Sequence, residues 1–96
     1  MNTYIILRRN HWPSLDDVQQ AGERSVEAEK EMADTVSWIR SYVMAEPSGR
    51  LGTICVYEAD SEEAVREHAD CADLPVDEVI RVADVVVIRP DPTRDE

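Results

Sequence analysis

The sequence predicts an α+β domain in the order strand, helix, strand, strand, helix, strand. Two periodicities and one turn point to it. Apolar residues recur at spacings of three and four over two stretches, while β-branched or alternating runs fill the stretches around them. Between the second and third of those runs, "PSGRLG" (Pro47 to Gly52) reads as a turn, so the two runs pair as a hairpin.

The elements follow in order. Thr3 to Arg9 is rich in β-branched and aromatic residues and reads as a strand. Pro13 disfavours helix at Trp12, which leaves His11 and Trp12 in a loop, and Ser14 is a good N-cap. A helix is expected from Leu15 to Asp34, with Val18, Ala21, Ser25, Ala28 and Met32 as its inward stripe and Gly22 beside it. Thr35 to Glu46 alternates: Trp38, Arg40, Tyr42 and Met44 share one face, and Ser37, Ile39, Ser41 and Val43 the other. Thr53 to Ala59 returns as the third strand. Ser61 caps a second helix running to about Ala72, with Glu62 and Glu63 at the positive end of its dipole and a Glu62–Arg66 pair one turn apart. Glu78 to Pro90 is expected as one long final strand, and residues 91–96 as a polar tail after a single domain of residues 1–90.

This order is the split βαβ pattern of the ferredoxin-like fold: a four-stranded antiparallel sheet with both helices on one face. The first and third strands are expected to run parallel, which would place His11 at the end where the second helix starts. The strand face holding Trp38, Arg40 and Tyr42 is assigned to the bare side of the sheet. Burying that side against a second copy, as in dimeric α+β barrels, predicts a homodimer.

Charge narrows the partners. The chain has 96 residues and a formal net charge of -11, with Lys30 its one lysine. A phosphate-binding surface needs clustered Lys and Arg, so neither nucleic acid nor an anionic membrane is an expected partner. No stretch approaches the ~20 apolar residues of a membrane span. The apolar run at the N-terminus precedes its basic residues, the reverse of a signal peptide, so a cytoplasmic location with free thiols at Cys55 and Cys71 is expected.

The chemistry-bearing residues are few. His68 lies among Ala64, Val65, Ala69 and Ala72 at helical spacings, on the face that packs against the sheet. There it is a hydrogen-bonded core residue, a metal ligand or an acid/base. Cys71 follows three residues later, and His and Cys at that spacing can share a metal if other ligands join them; Cys55 on the third strand is one donor. As alternatives, both cysteines are small half-buried residues. Tyr57 is an orienting donor or a core hydrogen-bond partner. Trp38 and Tyr42 line an aromatic pocket or pack in a dimer interface, and His11 sits on a pocket rim or on plain surface. Glu58 and Asp60 could hold a cation, with helix capping the competing role for Asp60. The chain has no Gly-rich phosphate loop, no Cys-x-x-Cys, no His-Glu-x-x-His and no Gly-x-Ser-x-Gly.

Three stretches, "WIRSYV" from Trp38, "ICVYEADSEEAVREHA" from Ile54 and "LPVDEVIRV" from Leu74, carry a likeness. Together they resemble a family of small bacterial ferredoxin-like proteins of formally unknown function, many of them called nickel-binding proteins. The likeness spans about residues 3 to 90. It implies Ni(II) bound through His68, with Cys71 or Cys55 as a further donor, and a role in binding or buffering metal. The chain departs from the pattern after His68. Where the family often has a Gly and a second His before the turn proline, this sequence reads "CADLP": Asp73 stands near the Gly, Leu74 precedes Pro75, and Cys71 is an addition. Two other functions fit the fold. One is a cofactor-free isomerase or monooxygenase acting on a small organic molecule, with His68 as acid/base, Tyr57 as donor and Trp38 and Tyr42 as walls. The other is a non-catalytic interaction module.

Overall fold

A computed structural model describes residues 1–92, and the expected tail residues 93–96 lie outside it. Strand β1 spans Asn2–Trp12, helix α1 Leu15–Glu31, β2 Val36–Ala45, β3 Leu51–Ala59, α2 Glu62–Cys71 and β4 Glu78–Arg81. The strands form one sheet in the order β2-β3-β1-β4, every neighbouring pair antiparallel. With both helices on one face, this is the ferredoxin-like arrangement the sequence predicts.

Both helices begin at serine caps. The Ser14 and Ser61 hydroxyls accept from the backbone N–H of Asp17 and Ala64, satisfying donors that have no partner inside the helix. Helix α1 stops at Glu31, three residues before the expected end. The chain turns there because the Met32 carbonyl takes the N–H groups of both Thr35 and Val36, each at 2.9 Å. Helix α2 ends in a Schellman motif. Asp73 adopts φ 56°, Leu74 N–H bonds to Ala69 O at 2.9 Å, and Asp73 N–H to Asp70 O at 3.1 Å.

One bulge changes which side chains face the helices. In the β2–β3 ladder Trp38 pairs with Tyr57, but Arg40 pairs with Val56, so Ile39 is an extra residue. Beyond it the alternation is inverted. Trp38, Ser41 and Val43 face the helices, and Arg40 and Tyr42 face the open side. Trp38 and Tyr42 therefore do not share a face, contrary to the strict alternation the sequence suggests. The bulge is held from α1, where the Trp38 N–H donates to Glu29 Oε2 at 2.7 Å, and within β2, where Trp38 Nε1 donates to Ser41 Oγ at 2.8 Å.

Strand β1 carries the second irregularity. Arg8 pairs with Thr53 and Trp12 with Leu51, so three β1 residues lie opposite one residue of β3. Asn10 takes φ 60° at this point. The N–H groups released from the ladder are taken by carboxylates: Arg9 N–H by Asp77 Oδ2 at 2.6 Å and Asn10 N–H by Glu46 Oε2 at 2.9 Å. His11 and Trp12 thus belong to β1 rather than to a loop. Because β1 and β3 are antiparallel and not parallel as expected, His11 sits beside the approach to β4, at the opposite end from the start of α2.

The last strand is shorter than Glu78 to Pro90. It pairs only with β1, and that partner runs out: Arg81 pairs with Tyr4, and the Val82 N–H reaches Thr3 O at 2.8 Å. Val85 to Ile88 carry on without regular pairing and stay exposed. Asp91 is bound back to β2, accepting from Arg40 Nη1 at 3.2 Å and from the Tyr42 hydroxyl at 2.5 Å. The core lies between sheet and helices: Tyr4, Ile6, Val36, Cys55, Tyr57, Ala59 and Val65 form it, with Trp38 and Val79 packed alongside.

Two substitutions test this framework in opposite directions. A Cβ at Gly52 would meet Arg8 O at 2.5 Å and Glu46 Oε2 at 2.6 Å, so Gly52→Ala should destabilise by about 2–4 kcal/mol in chemical denaturation. Asp73→Gly removes the steric penalty of the left-handed position and should stabilise by about 1 kcal/mol in the same assay.

Candidate functional site

The face of the sheet under the helices holds a polar cluster unusual for so thin a core. Ser25, inward on α1, is 2% exposed and Tyr57 on β3 is 1% exposed. Their hydroxyls are 2.8 Å apart. His68 on α2 is completely buried, and its Nε2 lies 3.0 Å from the Ser25 backbone carbonyl and 3.5 Å from its hydroxyl. A carbonyl only accepts, so Nε2 carries the proton and Nδ1, which has no partner, is the bare nitrogen. Burial holds the His68 pKa below the ordinary histidine value, with the nearby Arg8 charge acting in the same direction. Burial also pushes the Tyr57 phenol up to about 12, against the opposing effect of its bond to Ser25. Both groups are neutral at physiological pH.

Beside this cluster a cavity of about 60 Å³ lies between α1 and the sheet. Its apolar walls are Trp12, Val18, Trp38, Val43 and Leu74. Arg8, Ser25, Ser41, Thr53, Cys55 and Tyr57 also line it, but the surface they present to it is almost wholly apolar. Trp38 stacks on Tyr57 at 6.1 Å and 12°. Arg8 is 1% exposed. It donates Nε to Pro75 O at 2.7 Å and Nη1 to Cys55 Sγ at 3.1 Å, while Nη2 has no partner.

A third cluster is at the surface. His11 Nε2 is 2.9 Å from Asp77 Oδ2, and both side chains are partly exposed. Asp77 is held below the usual carboxylate range, first by the Arg9 backbone N–H and then by its bond to His11. Next to it, Glu46 is also held low, first by its side-chain hydrogen bonds from Arg9 and then by the Asn10 N–H.

The residues singled out from sequence are thus distributed over the molecule. His68 points inward while Cys71 is exposed on α2, so the i,i+3 pair does not converge. Cys55 is buried, bonded to Arg8 and Thr53. Among the described residues no group of three or more His, Cys, Asp or Glu side chains is placed to hold a metal ion. The sulfur–imidazole set therefore does not fit nickel as it stands. His68 does not line the cavity, so the cavity wall lacks an imidazole acid/base; Tyr57 and Trp38 do line it, and Tyr42, 44% exposed, is on the other face. Sequence reasoning missed Arg8 and Asp77. Arg8 continues the Tyr4, Ile6 alternation and so was legible as inward-facing. Asp77 gave no signal, because its role depends on a bulge in another strand.

The fold and the donors define a small ferredoxin-like α+β protein whose exposed nitrogen and oxygen donors lie apart from a tightly bonded core histidine. The profile of the SCO4226-like nickel responsive proteins matches residues 4–82, and the chain belongs to that family. The chain is also similar to the crystal structure of SCO4226 from Streptomyces coelicolor A3(2), at 24% identity and TM-score 0.69, over 88% of this chain and 99% of that one, a likeness that supports the fold. No curated protein matches. No helix is long and apolar enough to cross a membrane among the described residues.

His68 makes a testable contribution to acid stability. Its folded pKa is depressed, so the unfolded chain binds the extra proton as pH falls below about 6.5. The stability it contributes is complete above that pH and is lost toward the lower folded value. In denaturant titrations between about pH 6.5 and 5, wild type should lose stability with a slope of at most about 1.4 kcal/mol per pH unit from this group, and His68→Gln should show a flatter profile.

Proposed function

We propose that this chain is a non-catalytic nickel-binding protein that takes Ni(II) at its surface through His11 and Asp77. The observation carrying this reading is the exposed imidazole–carboxylate pair at 2.9 Å in a member of a nickel responsive family. Ni(II) accepts imidazole nitrogen together with carboxylate oxygen. The lowered pKa of Asp77 keeps its carboxylate charged at neutral pH, and a net charge of -11 raises the local concentration of cations. Two donors leave a nickel coordination sphere open, to be completed by water or by side chains of a second copy.

A homodimer is part of this reading. The open face of the sheet carries Ile5, Leu7, Ile54 and Val56 at half-buried positions, with Ile80 40% exposed. An apolar sheet face of this kind is stable when a second copy covers it. Buried deep in the core, with Nε2 committed to the Ser25 carbonyl, His68 serves the fold rather than the metal.

Calorimetric titration of the tag-free protein with Ni(II) tests the assignment. His11→Ala and Asp77→Asn should each weaken binding by about tenfold or more, and His68→Gln should leave the affinity unchanged. Wild-type affinity in both surface variants, or loss confined to His68→Gln, would contradict it.

A further inference from the structure

We infer that residues 84–89 form an interchain arm, which pairs antiparallel, in a single register, with the same segment of a second copy of the chain. The segment is apolar and uncovered. Val85, Val86, Val87 and Ile88 are 62%, 82%, 70% and 80% exposed, and adjacent β-branched residues favour an extended, paired backbone. That backbone has no ladder of its own. β4 pairs with β1 only as far as Arg81, and the Val82 N–H to Thr3 O is the last bond between them. Among the described residues, none of 83–90 gives or accepts a backbone–backbone hydrogen bond. The segment also lies beyond residues 4–82, which the family profile covers, so it is additional to the shared domain.

The order of residues in the arm specifies its partner. A two-fold axis between Val86 and Val87 sets Val86 opposite the partner's Val87, Val85 opposite the partner's Ile88 and Asp84 opposite the partner's Arg89. The aliphatic pairs are then closed at each end by opposite charges, which antiparallel strands favour at facing positions. Neither Asp84 nor Arg89 belongs to any ion pair among the described residues. Other registers lose this match. Displaced by two residues one way, Asp84 meets the partner's Val87; displaced the other way, it meets the partner's Asp91. Pro90 has no N–H and ends the ladder just past Arg89. In the single chain the segment bends at Ile88 and Arg89, so pairing straightens two residues. A ribbon this short is marginal alone. The arms therefore add to the contact between open sheet faces, and their role rests on the homodimer proposed above.

Sedimentation equilibrium on the full chain measures the dimer dissociation constant for wild type, Asp84→Arg, Arg89→Asp and an equimolar mixture of the two variants. Both positions are exposed, so neither substitution disturbs the core. Asp84→Arg sets arginine against arginine, and Arg89→Asp sets aspartate against aspartate. Each should weaken the dimer by about tenfold. In the mixture every arginine again faces an aspartate, and a heterodimer of wild-type affinity is expected. General repulsion predicts otherwise, because Asp84→Arg makes an acidic chain less negative and would tighten the dimer. Wild-type or tighter affinity in either variant, or a mixture no tighter than the variants alone, would overturn the arm and leave the sheet-face dimer standing. A wild-type chain that stays monomeric would overturn the homodimer with it.

Discussion

Ser25 ties the two helices to the sheet. Its hydroxyl meets the Tyr57 hydroxyl from β3 at 2.8 Å, and its backbone carbonyl accepts Nε2 of His68 from α2 at 3.0 Å. A domain of this length has a thin core, and here a polar pivot joins three elements where a larger protein would use more apolar packing. Both bonds are made in a buried setting, where an unmade partner is expensive, although the second ring nitrogen of His68, Nδ1, goes without one. The pivot sets what His68 can do: with Nε2 occupied and the ring enclosed, the histidine is a structural tether that stays neutral. Arg24 reinforces the same junction, reaching from α1 to the carbonyl of Ala72 just past the end of α2 at 2.9 Å.

The rest of the architecture turns on two departures from regular strand geometry. Trp38 lies under α1 in step with the buried Val36, where Glu29 receives its N–H and Tyr57 receives its ring. The extra residue at Ile39 brings Ser41 and Val43 to that same face; without it they and Trp38 could not share it, and the cavity would lose a wall. The irregularity at Arg9 to His11 aims backbone N–H groups at Asp77 and Glu46, and so places the exposed imidazole against a carboxylate. Both sites therefore depend on positions where the ladder hydrogen bonds are replaced by carboxylate acceptors, a common use of bulges near functional groups.

These features explain what the sequence made legible. Element order, both serine caps, the inward stripe of α1 and the buried side of α2 follow from periodicity and turn chemistry, which are local. The helical spacing of Ala64, Val65, Ala69 and Ala72 correctly placed His68 on the inner face. The position of Trp38 was not legible, because a single inserted residue inverts parity and Ile39 does not differ in kind from its neighbours. The end of β4 was misread because the apolar run Val85 to Ile88 signals a strand, whereas strand length is set by pairing, and the pairing with β1 goes no further than Arg81 against Tyr4. Asp73 at φ 56° occupies the left-handed position of the Schellman motif, where a Gly is favoured, a position that helical periodicity does not mark.

The central claim is a division of labour, with His68 as tether and His11 as metal-facing donor. The most direct test is the long-range 1H–15N spectrum of the two imidazoles, recorded as substoichiometric Ni(II), a paramagnetic ion, is added. The account predicts that His68 appears as a neutral ring protonated at Nε2 and stays in that form, while the His11 signals broaden first. Broadening that begins at His68, or a His68 ring that changes protonation state when nickel is added, would contradict it.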